Sequence, residues 1–252
     1  MILPACSTTI LPLLFKLVYS LAFPSIQIQS ESDFSIIRKI PTPAGFYRIA
    51  YPSHSFASWL ENIPLKKNDT VFLYNGRPKS NQTAQYAVLD IPIGNKDLQQ
   101  FADAVMRLRA MWLHEEGRDT KIHFENNVGK SYRFTLPYSE LKFDSYLQTV
   151  FSNCGTLSLE KQLKTKPIMK LEIGDVFIRG GSPGHAMIVV DKAVNENGQV
   201  VYMLAQSYMP AQDIHIVRNP ARSDFGPWFP LEDAKPVFTP EWIFAYNQLR
   251  TW

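Results

Sequence analysis

Apolar residues recur at helical spacing most clearly between Lys96 and Glu116. Placed about 100° apart, Phe101, Ala102, Val105, Met106, Leu108, Trp112 and Leu113 gather on one broad face, which predicts an amphipathic helix. Arg109 falls inside that apolar arc, whereas Arg107 points away from it. A guanidinium buried there needs a carboxylate or several carbonyls, because an unpaired buried charge is costly. Shorter helices are expected over Ser55–Ile63, with Ser55 as the cap, over Ser145–Phe151 and over Ser158–Lys164.

Runs rich in β-branched and aromatic residues between turn formers predict strands at Phe46–Tyr51, Val71–Tyr74 and Gln85–Ile93. Ile122–Glu125 and Ser131–Phe134 flank Asn126-Asn127-Val128-Gly129 and read as a hairpin. Two strands flank the loop in GDVFIRGGSPGHAMIVVD (Gly174–Asp191), followed by Val200–Ser207 and Ile214–Val217. The longer helices thus precede a strand-rich, hairpin-connected half, which points to an α+β domain over residues 34–252.

Alternation places His185, Met187 and Val189 on one face of their strand and Ala186, Ile188 and Val190 on the other. If Asn197-Gly198 is the whole hairpin turn, Val189 lies opposite Gln206, and His185, Gln206 and Tyr208 share a face. Gln206 is then four residues from His185, roughly 13 Å along the strand. A longer loop or a bulge around Asn195–Gly198 would change that gap and could shorten it. A histidine at a sheet edge, oriented by an amide on the next strand, is the base half of a cysteine-nucleophile site. The amide accepts from one ring nitrogen and leaves the other free to take a thiol proton. The competing reading is a ring that closes the Gly184-His185 turn against loop backbone.

Composition narrows the field. The chain has 252 residues and a net charge of +3, with no Lys/Arg run, so no nucleic-acid partner is expected. Cys6 and Cys154 cannot build a disulfide framework, and the five histidines lack metal-site spacing, so neither metal nor cofactor is expected. Ile10–Phe23 has the length of an export segment, with Ser20-Leu21-Ala22 as a small-x-small cleavage site. Leu3-Pro4-Ala5-Cys6 resembles a lipoprotein acylation box. Residues 1–33 are therefore expected to be an export segment and linker, placing the protein in the periplasm or at the cell surface.

The GD strand (Gly174-Asp175-Val176-Phe177), the GH strand start and the later Gln206 resemble papain-like NlpC-type and CHAP amidase/peptidase domains. That resemblance implies a papain-like α+β fold, an antiparallel sheet with helices packed on one side, and hydrolysis of cell-wall peptides or amides. A closer resemblance runs from about Ile40 onward, through DLQQFADAVMRLRA (Asp97–Ala110), GTLSL (Gly155–Leu159), AQSYMPAQDI (Ala205–Ile214) and Thr239-Pro240-Glu241-Trp242. These segments are similar to the bacterial family known as domain of unknown function 4846, which brings no established activity with it.

The departures from that pattern bear on chemistry. Phe101 stands where the family commonly has a cysteine, at the helix N-terminus that would favour a thiolate. Met111-Trp112 replaces an acidic-aromatic pair. On the enzyme reading, His185 is the base, Gln206 or Tyr208 orients it, and Cys154 is the remaining thiol. Cys154 read otherwise is a buried apolar side chain. Arg107, Arg109, His123 and Tyr208 are the candidate substrate-binding groups, for a peptide or a cell-wall glycan. The alternatives are a non-catalytic binding protein of the same fold, or an envelope-assembly protein in which Arg107, Arg109 and His123 only pack.

Overall fold

A computed structural model describes Met1 and residues 34–252. The expected export segment, the acylation-box Cys6 and the linker to Asp33 lie outside the described residues. No helix among the described residues is long and apolar enough to cross a membrane.

Four α-helices are present among the described residues: α1 (Phe56–Glu61), α2 (Phe101–Glu115), α3 (Glu140–Asn153) and α4 (Thr156–Gln162). The strands are β1 (Phe46–Arg48), β2 (Gln85–Val88), β3 (His123–Glu125), β4 (Ser131–Arg133), β5 (Lys164–Thr165), β6 (Val176–Arg179) and β7 (His185–Asn195). They continue as β8 (Val200–Gln206), β9 (His215–Val217), β10 (Trp228–Pro230), β11 (Val237–Phe238), β12 (Ile243–Phe244) and β13 (Leu249–Thr251). A nine-stranded antiparallel sheet runs β2-β9-β8-β7-β6-β13-β5, with β1 added to β7 and β10 to β8. β1 and β13, from opposite ends of the described chain, both join this sheet, and β7 is its longest member.

Alternation along β7 sorts the two sheet faces as the pattern predicts. Ala186, Ile188 and Val190 join Val105, Met106, Leu108 and the other helix side chains in one core. Met187 and Val189 join Tyr202, Leu204, Phe229 and Phe244 in a second, smaller core. Helices therefore cover one face, and the β11–β12 hairpin with its neighbours covers the other. Side chains of β6 and of the start of β7 alternate between the two cores, so a slip of either strand by one residue would exchange its faces.

Local chemistry accounts for the element ends. Ser55 caps α1, its hydroxyl accepting the Ser58 N–H at 3.1 Å, a contact worth about 1 kcal/mol. The long helix begins later than its apolar pattern suggests: Lys96–Gln100 is not helical, and Phe101 takes a φ of +24°. The first turn is instead fastened by Asp103, whose carboxylate accepts the Gln100 N–H at 3.0 Å. Val71–Tyr74 forms no named strand, only isolated bridges at Phe72 and Leu73, since neither neighbour runs beside it for long.

Candidate active site

The β7–β8 pairing differs from a two-residue turn in two places. Val194 pairs with Val200, so the connection is one residue longer than a two-residue turn at Asn197-Gly198. A bulge then falls between Val189 and Asp191, after which Val189 pairs with Leu204 and Ile188 with Ala205. Each shift moves β8 by one residue relative to β7. Continued one step, the register puts Gln206 opposite Met187, two residues from His185 rather than four. That shorter gap lies within reach of the two side chains.

His185 Nε2 lies 2.7 Å from Gln206 Oε1, and both residues are buried. The amide oxygen only accepts, so Nε2 carries the proton. On the far side of the amide, Gln206 Nε2 donates to Glu241 Oε2 at 2.8 Å and meets His215 Nε2 at 3.2 Å. His215 Nδ1 donates to the Asp213 carbonyl at 2.9 Å, which leaves its Nε2 as the acceptor the amide requires. Lys79 Nζ closes the chain on Glu241 Oε2 at 2.6 Å. The donors and acceptors agree along the whole series, and they leave His185 Nδ1 buried, unprotonated and without a hydrogen-bond partner.

Three parts of the fold deliver these groups. Gly184 lets β7 start where it does: a Cβ there would strike the Thr156 hydroxyl and lie 2.5 Å from the Gly181 carbonyl. Gln206 and His215 are paired across β8 and β9 and face the smaller core. The β11–β12 turn, Thr239-Pro240-Glu241-Trp242, is held by the Thr239 hydroxyl donating to the Trp242 carbonyl at 2.7 Å. That turn supplies Glu241 to the amide and Trp242 to the His185 ring at 5.1 Å between centroids.

The remaining walls are aromatic. Phe101 meets His185 edge to face at 5.0 Å and Tyr208 at 5.1 Å, while Tyr208 lies 5.2 Å from His185. Burial therefore dominates the electrostatics. It pushes His185 down to about 4, with Lys79 adding to the fall and the Gln206 hydrogen bond opposing it. His215 is lowered to about 3 by burial and then by Lys79. Burial also lowers Lys79 itself, against the pull of Glu241. Both rings are neutral at pH 7, and His185 is a base without a proton donor.

Of the sequence-derived candidates, His185, Gln206 and Tyr208 come together. Cys154 does not join them by a hydrogen bond: it ends α3 and lines a hollow with Phe101 and Asp103. Burial, and then Asp103, pushes its thiol up to about 11, the reverse of an activated nucleophile. Ser158 exchanges hydrogen bonds with Gly155 inside the first turn of α4, a capping role.

The two arginines part company. Among the described residues Arg109 has neither the carboxylate nor the carbonyl partners that its place in the apolar arc was expected to demand. Its guanidinium lies over Trp112 at 4.5 Å and over Phe56 and Trp252 at 5.0 Å each. The negative faces of three rings replace the anion, and burial lowers its pKa to about 10. Arg107 lies over Phe151 at 5.5 Å on the α3 side. His123 is on the β3–β4 hairpin, with Nδ1 3.1 Å from the Lys121 carbonyl. Among the described residues no hydrogen bond, ion pair or ring contact joins any of the three to the His185 cluster.

Lys79, His215 and Glu241 are the members that the sequence alone did not single out as site residues. Glu241 had one signal, its place in the Thr239–Trp242 segment. Lys79 and His215 had none beyond being charged or titratable residues near apolar runs. No curated protein and no solved structure matches the chain. Residues 36–139 and 125–251 match the family described as Domain of unknown function (4846), and the chain belongs to that family.

Proposed function

We propose that this protein is a non-catalytic relative of papain-like amidases and peptidases, one that binds peptide without cleaving it. The observation that carries this reading is the pairing of an oriented, neutral histidine with a phenylalanine at the head of the helix that faces it. His185 has its Nε2 proton fixed by Gln206 and its Nδ1 lone pair free. In a cysteine-type hydrolase that lone pair accepts the thiol proton, and the thiol sits at a helix N-terminus. Here the first residue of α2 is Phe101, whose ring packs on the imidazole.

The peptide would reach the molecule through the hollow of about 260 Å³ that opens beside Phe101, Gln100, Asp103, Cys154 and Thr156. Asp103 is one of its lining residues, and the Asp103 Oδ1 is buried without a hydrogen-bond partner. Burial holds this carboxyl well above the usual carboxylate range. The apolar export-like segment at Ile10–Phe23 supports a location outside the cytoplasm.

The enzyme reading with Cys154 as nucleophile has less support, because the thiol has no bond to His185 and its pKa is raised. The test is hydrolysis of peptide and cell-wall amide substrates by wild type, Cys154→Ala and Phe101→Cys. The expected result is no turnover by the first two and turnover by the third that His185→Ala abolishes. Wild-type hydrolysis that Cys154→Ala removes would overturn the proposal.

A further inference from the structure

A second hollow, of about 290 Å³, lies between the Ile91–Gln99 loop, the outer flank of α2 and α3. Leu98 and Phe151 line both it and the hollow beside Phe101, so the two adjoin. Two buried polar atoms among its lining residues have no partner. Gln99 is 1% exposed; its Nε2 donates to the Gln212 carbonyl at 3.3 Å, but its Oε1 receives nothing. Arg107 Nε is buried and donates to nothing. Asp144 and Asp103 act on the Arg107 charge through space only.

One orphan is an acceptor and the other a donor, and a buried group left unpaired costs about 1–3 kcal/mol. The charges on the rim decide what complements them. Lys96 and Arg107 line the hollow with Asp144 and Glu140. Glu140 reaches away to His114 Nε2 at 3.4 Å, and Lys96 Nζ is held by the neutral Gln148 Oε1 at 2.7 Å. Two cations therefore face one uncommitted carboxylate, and the balance favours an anionic oxygen next to an N–H.

We propose that this hollow binds the C-terminal end of a peptide. Arg107 donates to the terminal carboxylate, Gln99 accepts the N–H of the terminal residue, and its apolar side chain lies on Leu98 and Phe151. The assignment rests on the peptide-binding reading above for its ligand class. It depends on neither His185 nor Phe101.

Titration of the full chain with N-acetyl-phenylalanine and N-acetyl-phenylalaninamide, followed by NMR shifts, tests it. The acid should bind at least about tenfold tighter than the amide. Arg107→Gln should weaken binding of the acid and remove that preference, while Gln99→Leu should weaken both ligands. Arg107→Lys keeps the charge without Nε, so it should also lose most of the preference if Arg107→Gln fails to fold. Equal affinity for acid and amide, or no binding of either, overturns the subsite. So does an acid preference that persists in a folded Arg107 variant. A longer amidated peptide that binds when neither small ligand does would sink this subsite while preserving the broader peptide-binding reading.

Discussion

The ring of Phe101 meets the ring of His185 edge to face, 5.0 Å between centroids and 83° between planes. Phe101 does this from a backbone φ of +24°, in a region where a side-chain-bearing residue is strained. Strain of this kind, about 1–3 kcal/mol, persists only where surrounding contacts hold it. The aromatic contacts with His185 and Tyr208 are what offset it.

Two substitutions separate the ring from the backbone. Phe101→Ala loses the ring contacts and keeps the strain, and should cost about 2–4 kcal/mol in urea unfolding. Phe101→Gly loses the same ring but relieves the backbone, so it should be the more stable variant by about 1 kcal/mol. An alanine variant as stable as wild type would mean that the ring does not fill a position the fold requires.

The buried rings make the fold acid-labile. His185 is lowered from 6.5 to about 4, so the unfolded chain binds a proton in a range where the folded protein does not. The stability from this neutral ring is fully present above about 6.5 and is lost as pH falls towards 4, by roughly 3 kcal/mol. His215, lowered to about 3, adds to the same trend. Unfolding midpoints between pH 7 and pH 4 should fall, less steeply in His185→Phe. Parallel curves for the two proteins would contradict a neutral, buried His185.

On the far side of the sheet the sign is reversed. Arg48 grips Asp191 through Nε at 2.9 Å and a terminal nitrogen at 2.7 Å, and Glu61 lies beside that pair. Burial, and then Asp191, raises Glu61 from 4.5 to about 7. A group with a raised folded pKa contributes stability fully below its unfolded value and loses it as pH rises through the folded value. The stability of wild type relative to Glu61→Gln should therefore decline from about pH 4.5 to about pH 7. A difference that is flat or grows across that window would show that Glu61 does not hold the extra proton.

Much of the His185 environment was legible because period two is robust. His185, Met187 and Val189 face one way, and Gln206 faces the same way from the next strand. Their separation was not legible, because it depends on the bulge at Val190, a backbone event that leaves no compositional mark in an all-apolar run. The start of α2 was hidden for a related reason. Asp97-Leu98-Gln99-Gln100 continues an acceptable helical pattern, and the Asp103 carboxylate, not the apolar spacing, sets the first turn. Lys79 and Glu241 are 162 residues apart in sequence and meet through an irregular segment and a two-stranded hairpin. Pairwise spacing carries no information about such a contact. Arg109 shows the converse: its place in the apolar arc was evident, but three aromatic rings from α1, α2 and the C-terminus satisfy it where a carboxylate or several carbonyls were expected.

The most direct measurement is the pH dependence of alkylation in Phe101→Cys carrying Cys154→Ala, with and without His185→Ala. If α2 begins at the position of a lost nucleophile, the introduced thiol should react with iodoacetamide with an apparent pKa at least one unit below the ordinary value of about 8.5. The His185→Ala change should return it to about that value. A thiol that titrates ordinarily whether or not His185 is present would contradict the account.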